Sequence, residues 1–349
     1  MKKFQVVLLF LMVAWAVKSP AQGKAPLRLL QTISLPGVQR HWDHFGVDLK
    51  GNRLFAASED EPVVEVLDLR TNKFIHTITG FKEPHNVLPF PDLKQIFVVD
   101  GEASEIKIFE YESYKLIGHI ELTIDADPVV FDQDTKYLYV VNGGREAHTP
   151  YCLISIVDTA TGKKLADLKL DTNRLESMAI EKSSSRLFVN MTGNNQIGVV
   201  DRKKRAVVQT WPITAGQENV PMQYDEATHR LFVVTRKPSR LIVVNTDTGK
   251  EVTSLPVAEY ADDLAYDAAH HRLYVPCGGN NMDRSEGFVT VVEQRGADNY
   301  QVIGTIPTKP GAKTARLVPE LNRYYVGVPQ PGPHKLDQGA EILVFEVVP

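Results

Sequence analysis

Short apolar and aromatic runs recur along the chain at a near-constant interval, each flanked by polar turns. They read Arg53-Leu54-Phe55-Ala56-Ala57, Gln95-Ile96-Phe97-Val98-Val99, Tyr137-Leu138-Tyr139-Val140-Val141, Arg186-Leu187-Phe188-Val189, Arg230-Leu231-Phe232-Val233-Val234, Arg272-Leu273-Tyr274-Val275 and Arg323-Tyr324-Tyr325-Val326. Runs of this length, rich in β-branched and aromatic residues, read as buried strands. With Leu54, Ile96, Leu138, Leu187, Leu231, Leu273 and Tyr324 as anchors, the spacings are 42, 42, 49, 44, 42 and 51. That interval is the length of a four-stranded propeller blade, so the chain is expected to be all-β with seven blades.

Each unit contains the same four pieces. An inner strand such as 44–49 precedes the anchor strand, and a third strand ends in Asp68, Glu110, Asp158, Asp201, Asn245, Glu293 or Glu346. A turn such as Thr161-Gly162-Lys163 then leads to a fourth strand, expected over 73–79, 115–122, 164–170, 206–213, 251–257 and 300–307. The seventh fourth strand is missing at the C-terminus. A matching segment, Leu29-Leu30-Gln31-Thr32-Ile33, lies at the other end of the chain. Pairing it onto 341–348 would close the ring and remove two open sheet edges.

The succession Leu138-Tyr139-Val140-Val141, then Ile154-Ser155-Ile156-Val157-Asp158-Thr159-Ala160-Thr161-Gly162-Lys163, resembles the YVTN-repeat propellers, and the chain after residue 21 is similar to the bacterial YncE-like family. Segments such as Trp42-Asp43-His44 and Ala261-Asp262-Asp263 match family signatures at the start of inner strands. Family members often carry Gly or Asn where this chain has His85-Asn86 and Pro128. The resemblance implies an exported propeller and assigns no reaction.

Composition agrees with a globular protein: 349 residues, 43% hydrophobic and 23% charged, with a formal net charge of −4. No basic tract is present, so nucleic acid is not the expected partner. Met1-Lys2-Lys3, an apolar run to Val17 and Lys18-Ser19-Pro20-Ala21 have the form of a secretory leader. Residues 1–21 are therefore expected to be removed, leaving one propeller domain over 22–349 in the periplasm or outside the cell. Nothing later is long and apolar enough for a membrane helix. Cys152 and Cys277 fall in blades 3 and 6, too far apart for a disulfide, and are expected to be buried thiols. No Cys-x-x-Cys-His segment exists to attach haem covalently.

Strand direction alternates within a blade, so the strand 4-to-1 and strand 2-to-3 connections share one face. Blades 3, 6 and 7 carry long strand 2-to-3 loops over 143–150, 278–285 and 329–338, containing Arg145, Arg284 and His334. The starts of the inner strands reach the same face. Eleven residues before the anchors lie Asp43, His85, Asp127, Glu176, Val220, Asp262 and Lys313; one position later lie His44, Asn86, Pro128, Ser177, Pro221, Asp263 and Thr314. The ligand-binding candidates are thus Asp43, His44, His85, Asp127, Glu176, Asp262, Asp263 and Arg316, with Arg145 and Arg284 from the loops. Asp43, His44, His85, Glu176 and Asp262 are candidate ligands for a divalent cation, Ca²⁺ or Mg²⁺ if oxygens dominate and Zn²⁺ if the imidazoles take part.

Two functions fit this pattern. The first is a binding module that holds a small molecule or a protein partner at the channel mouth. The second is a metal-assisted hydrolase or lyase, lactonase-like, with an Asp or His base and Glu176 or a metal polarising a carbonyl. No specific nucleophile motif favours the second, and a propeller scaffold serves either.

Overall fold

A computed structural model describes residues 25–35, 39–280, 286–330 and 339–349. The expected leader over 1–21, Arg284 and His334 lie outside the described residues. Seven four-stranded antiparallel sheets form, as the spacing requires. The first consists of Trp42–Asp48, Arg53–Ser58, Val63–Asp68 and Lys73–Ile78, paired in that order. Five more blades repeat it, with inner strands Pro84–Phe90, Val129–Asp132, Met178–Ile180, Gln217–Asp225 and Ala265–Asp267.

The seventh blade contains Ala315–Val318, Arg323–Val328 and Ala340–Val347, and takes its outer strand from the N-terminal segment Leu27–Leu35. These last two strands run antiparallel, with Leu27 opposite Val347 and Leu35 opposite Ala340. A bulge between Leu29 and Gln31 lets the added strand follow the twist of the blade. Every edge that this pairing covers would otherwise be a row of unsatisfied N–H and C=O groups.

All seven anchors are fully buried. Their clusters lie between blades: Phe55, Val64 and Val66 of the first pack on Val87, Ile96 and Val98 of the second, and the same arrangement recurs around the ring. Each blade therefore depends on its neighbours for its apolar burial. Inner strands meet closely at Gly46, where a Cβ would fall 2.3 Å from the carbonyl oxygen of Val87, so only glycine fits.

The polar residue ending strand 3 has a local task. Asp68 accepts from the N–H groups of Arg70 and Thr71 at 3.0 and 2.8 Å, and Asp158, Asp201 and Asn245 accept from the equivalent pairs. These side chains shape the turn into strand 4 and lie opposite the candidate site. Cys152 and Cys277 are free and buried. Among the described residues no helix is long and apolar enough to cross a membrane.

Candidate functional site

The long loop of blade 3 folds onto the connection between blades 3 and 4, Arg145 N donating to the carbonyl of Asn173 at 3.0 Å. In blade 6 the start of the equivalent loop is bonded to the next connection, Gly311 N to Gly278 O at 2.7 Å. The described parts of these loops and the inner-strand starts share one channel mouth. Two cavities open there. One of 320 Å³ has Asp125, Arg145, Glu146 and Asn173 on its wall; the other, of 180 Å³, has Asp43, His44, Glu59 and Asp262. Asp127, Arg174 and Glu176 belong to both.

Ion pairing divides the rim in two. On blades 4 to 7 Glu176 and Asp262 meet fixed cations: Arg174 Nη2 lies 2.6 Å from Glu176, Lys313 Nζ lies 2.5 Å from Asp262, and Arg236 also bonds Asp262. Burial disfavours the Asp262 anion, yet Lys313 and Arg236 outweigh it and hold this carboxyl far below the usual range. Burial pushes the Glu176 carboxyl up, and Arg174 offsets only part of that.

On blades 1 to 3 the partners are imidazoles. His85 Nδ1 lies 2.6 Å from Asp43 Oδ2 and 3.6 Å from Glu59 Oε1. His44 Nδ1 lies 3.0 Å from Asp263 Oδ1, while its Nε2 lies 3.7 Å from Asp43 Oδ1 and 3.8 Å from Asp127 Oδ1. Burial opposes charging either ring, but Asp43, Asp263 and Asp127 around His44, and Asp127, Asp43, Glu59 and Glu83 around His85, raise both well above 6.5. Burial, assisted by the Asp43 charge and opposed by His85, pushes the Asp127 carboxyl up to about 8. Local packing makes room for this cluster: a Cβ on Gly101 would fall 2.7 Å from His85 Nε2.

Two groupings can converge on a metal ion, Asp43 with His44 and Asp127, and Asp43 with Glu59 and His85. Asp43, His44 and His85 of the expected ligand set belong to them. Glu176 and Asp262 stand apart, their carboxylates engaged by Arg174, Arg236 and Lys313. Asp127 and Glu59 come in instead. Arg316 lies deeper, enclosed by the ring but open to a central space of 140 Å³ that it shares with His44, Asn86, Ser177 and Asp263.

Glu59 and Arg236 were not singled out by the inner-strand count, although both stand five residues after an anchor. Arg174 stands thirteen before one. Each position lies on the same face in every blade, so a second and third count from the anchors would have reached them. The residue thirteen before the anchor is arginine only at Arg174, and the one five after it is charged only at Glu59 and Arg236, which hides both positions from motif recognition.

The chain is 22% identical to YncE of Salmonella typhi, described as an uncharacterized protein, over 204 residues, 58% of this chain and 54% of the relative. The Salmonella typhimurium YncE matches over the same shares at the same identity. The likeness and the seven-bladed ring together support a YncE-like propeller family. The chain thus spans about half the length of the YncE relatives it matches. No family model matches. Among solved structures, a chain of Kuenenia stuttgartiensis hydrazine synthase superposes with a TM-score of 0.70 at 15% identity, covering 90% of this chain and 96% of that one. A chain of a mitotic checkpoint complex gives 0.73 at 12% identity, covering 99% of both. At these identities the likeness shows the fold of this chain and nothing of its chemistry.

Proposed function

We propose that this YncE-like propeller is an exported binding module that takes a small, polar, hydrogen-bonding ligand at its channel mouth. The observation that carries this reading is the pair of adjoining cavities, 320 and 180 Å³, walled mainly by charged and polar side chains of both signs and sharing Asp127, Arg174 and Glu176. Such a wall suits sugars, sugar acids or amino acids, which can exchange hydrogen bonds with fixed ion pairs, and is poor for an apolar ligand. Arg145, at the larger cavity, adds a cation for a ligand carboxylate.

Calorimetry and thermal shift against a panel of sugar acids, amino acids and short glycans test it. Saturable binding that weakens tenfold or more in Arg174→Ala is the expected result, and no binding across the panel would overturn the reading. Fractionation should find the protein in the periplasm or medium; retention in the cytoplasm would refute export. The hydrolase reading draws on the His44–Asp263 pair, an oriented imidazole whose carboxylate neighbours favour its protonated form and so suit it to donate a proton to a leaving group. Turnover of a lactone or ester, abolished in His44→Gln, would put catalysis in place of simple binding.

A further inference from the structure

We propose that the channel mouth binds one divalent transition-metal ion of the zinc class through His44 Nε2 and the carboxylates of Asp43 and Asp127, leaving one coordination position open to the 180 Å³ cavity. The proposal rests on the reading of this mouth as the binding face and adds the group that an oxygen of the bound molecule would reach.

The donor atoms are close to the required spacing. Tetrahedral bonds of about 2.0 to 2.1 Å place neighbouring donors about 3.4 Å apart. His44 Nε2 stands 3.7 Å from Asp43 Oδ1 and 3.8 Å from Asp127 Oδ1, and all three donors lie within 4.8 Å of one another, so closing around an ion asks each donor to move by less than about 1 Å. Three protein donors and an open fourth position are the pattern of a zinc site that engages an exogenous ligand. An imidazole among the donors favours zinc, cobalt or nickel over calcium or magnesium.

The donors are also held from behind. Asp263 bonds His44 Nδ1 at 3.0 Å and is itself fixed by the N–H of Ala315 at 2.8 Å, which leaves Nε2 facing the other donors. Asn86 Nδ2 donates to the carbonyl and to Oδ1 of Asp127, at 2.8 and 3.2 Å. His85 Nδ1 lies 2.6 Å from Asp43 Oδ2, the oxygen that His44 does not face. Outer partners of this kind orient the ligating groups of metal sites, and their loss weakens metal affinity about 10- to 100-fold.

Charge distinguishes this half of the rim from the other. Glu176 and Asp262 have Arg or Lys partners. Among the described residues, the direct ion pairs of Asp43, Glu59, Asp127 and Asp263 are with histidines only, while Lys313 acts on Asp43 and Glu59, and Arg316 on Asp263, at longer range. A dication placed between Asp43 and Asp127 supplies the positive charge that the arginines and lysine supply opposite.

The test uses tag-free, full-length mature protein stripped with chelator and titrated calorimetrically with Zn²⁺ or Ca²⁺ alone, with Co²⁺ absorption as a probe of coordination. One Zn²⁺ per chain is expected, together with visible Co²⁺ bands of low-coordinate type. Affinity should fall more than 100-fold in His44→Gln and Asp127→Asn and about 10- to 100-fold in Asp263→Asn, and stay unchanged in Asp201→Asn, at a turn on the opposite face. Circular dichroism checks each fold, and Asp263→Asn serves if a ligand variant does not fold. No uptake of Zn²⁺ or Co²⁺, preference for Ca²⁺, or Zn²⁺ affinity indifferent to these changes would overturn the site. The ligand panel run on metal-free protein separates the two readings: organic binding without metal uptake refutes only the metal, and metal uptake with no organic ligand refutes only the ligand.

Discussion

Trp42 and Glu341 are separated by almost the whole sequence, yet the indole N–H of the first donates to the carbonyl oxygen of the second at 3.0 Å. The same N–H lies 3.1 Å from the carbonyl of Val328, and Thr314 Oγ1 donates to the carbonyl of Trp42 at 3.1 Å. Trp42 thereby ties the first inner strand to the last blade. It is buried to 2%, and Gly327 leaves the space it fills, since a Cβ there would fall 2.8 Å from the Trp42 Cβ.

Trp42→Phe should keep most of the packing and lose the donor, lowering stability by about 1 to 2 kcal/mol. Trp42→Ala should cost about 3 to 5 kcal/mol. Deleting 27–35 should act on the same closure more severely, and unchanged thermal denaturation after that deletion would refute closure by the N-terminal strand.

Glu181 gives an acid-sensitive contact away from the channel. Burial opposes its ionisation, but Arg186 Nε at 2.6 Å, the Ser184 hydroxyl and the Tyr224 hydroxyl at 2.8 Å outweigh it and lower the carboxyl to about 2. A carboxylate lowered on folding stabilises the protein fully above its unfolded value near 4.5, and the contribution is lost as pH falls from there toward 2. Glu181→Gln should therefore be less stable at neutral pH, by on the order of 2 kcal/mol, and flatter between pH 4.5 and 2. Urea midpoints measured across that range decide it.

Asp262 separates Arg236 from Lys313. Replacing it with Ala leaves two enclosed cations facing each other, with an expected loss of about 3 kcal/mol. Adding Lys313→Met to Asp262→Ala should recover part of that loss, and a strictly additive double mutant would show that the pair is not coupled.

The two thiols should be inert in the native protein. Burial pushes Cys152 up to about 11 and Cys277 up to about 12, so little thiolate exists at pH 8. A disulfide reagent should report nearly no thiol until denaturant is added, and two thereafter. Immediate labelling of Cys277 would contradict its burial.

The ring was readable in the sequence because each unit repeats one apolar core position, and the anchors Leu54 to Tyr324 stay buried whatever their neighbours do. Even the displaced outer strand betrayed itself, since Ile33 continues the pattern of a fourth strand. The mouth was readable only in part. Counting from the anchors placed Asp43, His44, His85, Asp127 and Asp263 on one rim, but which carboxylate meets which cation is decided across the channel. His44 takes its partner from blade 6, and Asp262 takes one cation from blade 5 and another from blade 7. Those choices depend on rotamers and channel width, which no linear spacing carries. Glu59 and Arg236 occupy a position that is Gly101, Gly143 and Gly278 in three other blades, so no charged residue repeats there to be noticed.

The pairing of Leu27–Leu35 with Ala340–Val347 also fixes a timetable. The strand that completes the ring is synthesised before every other strand of the propeller, and its partner after them all, so the closing contact spans the whole ring in sequence. Six blades can stack while the chain is still growing, but the seventh cannot be finished until the C-terminal strand is available. Until then two sheet edges stay open to other chains. A chain cut before Ala340–Val347 is therefore expected to behave as an aggregation-prone open ring, and the closed ring to appear as a single event that certifies the seventh blade.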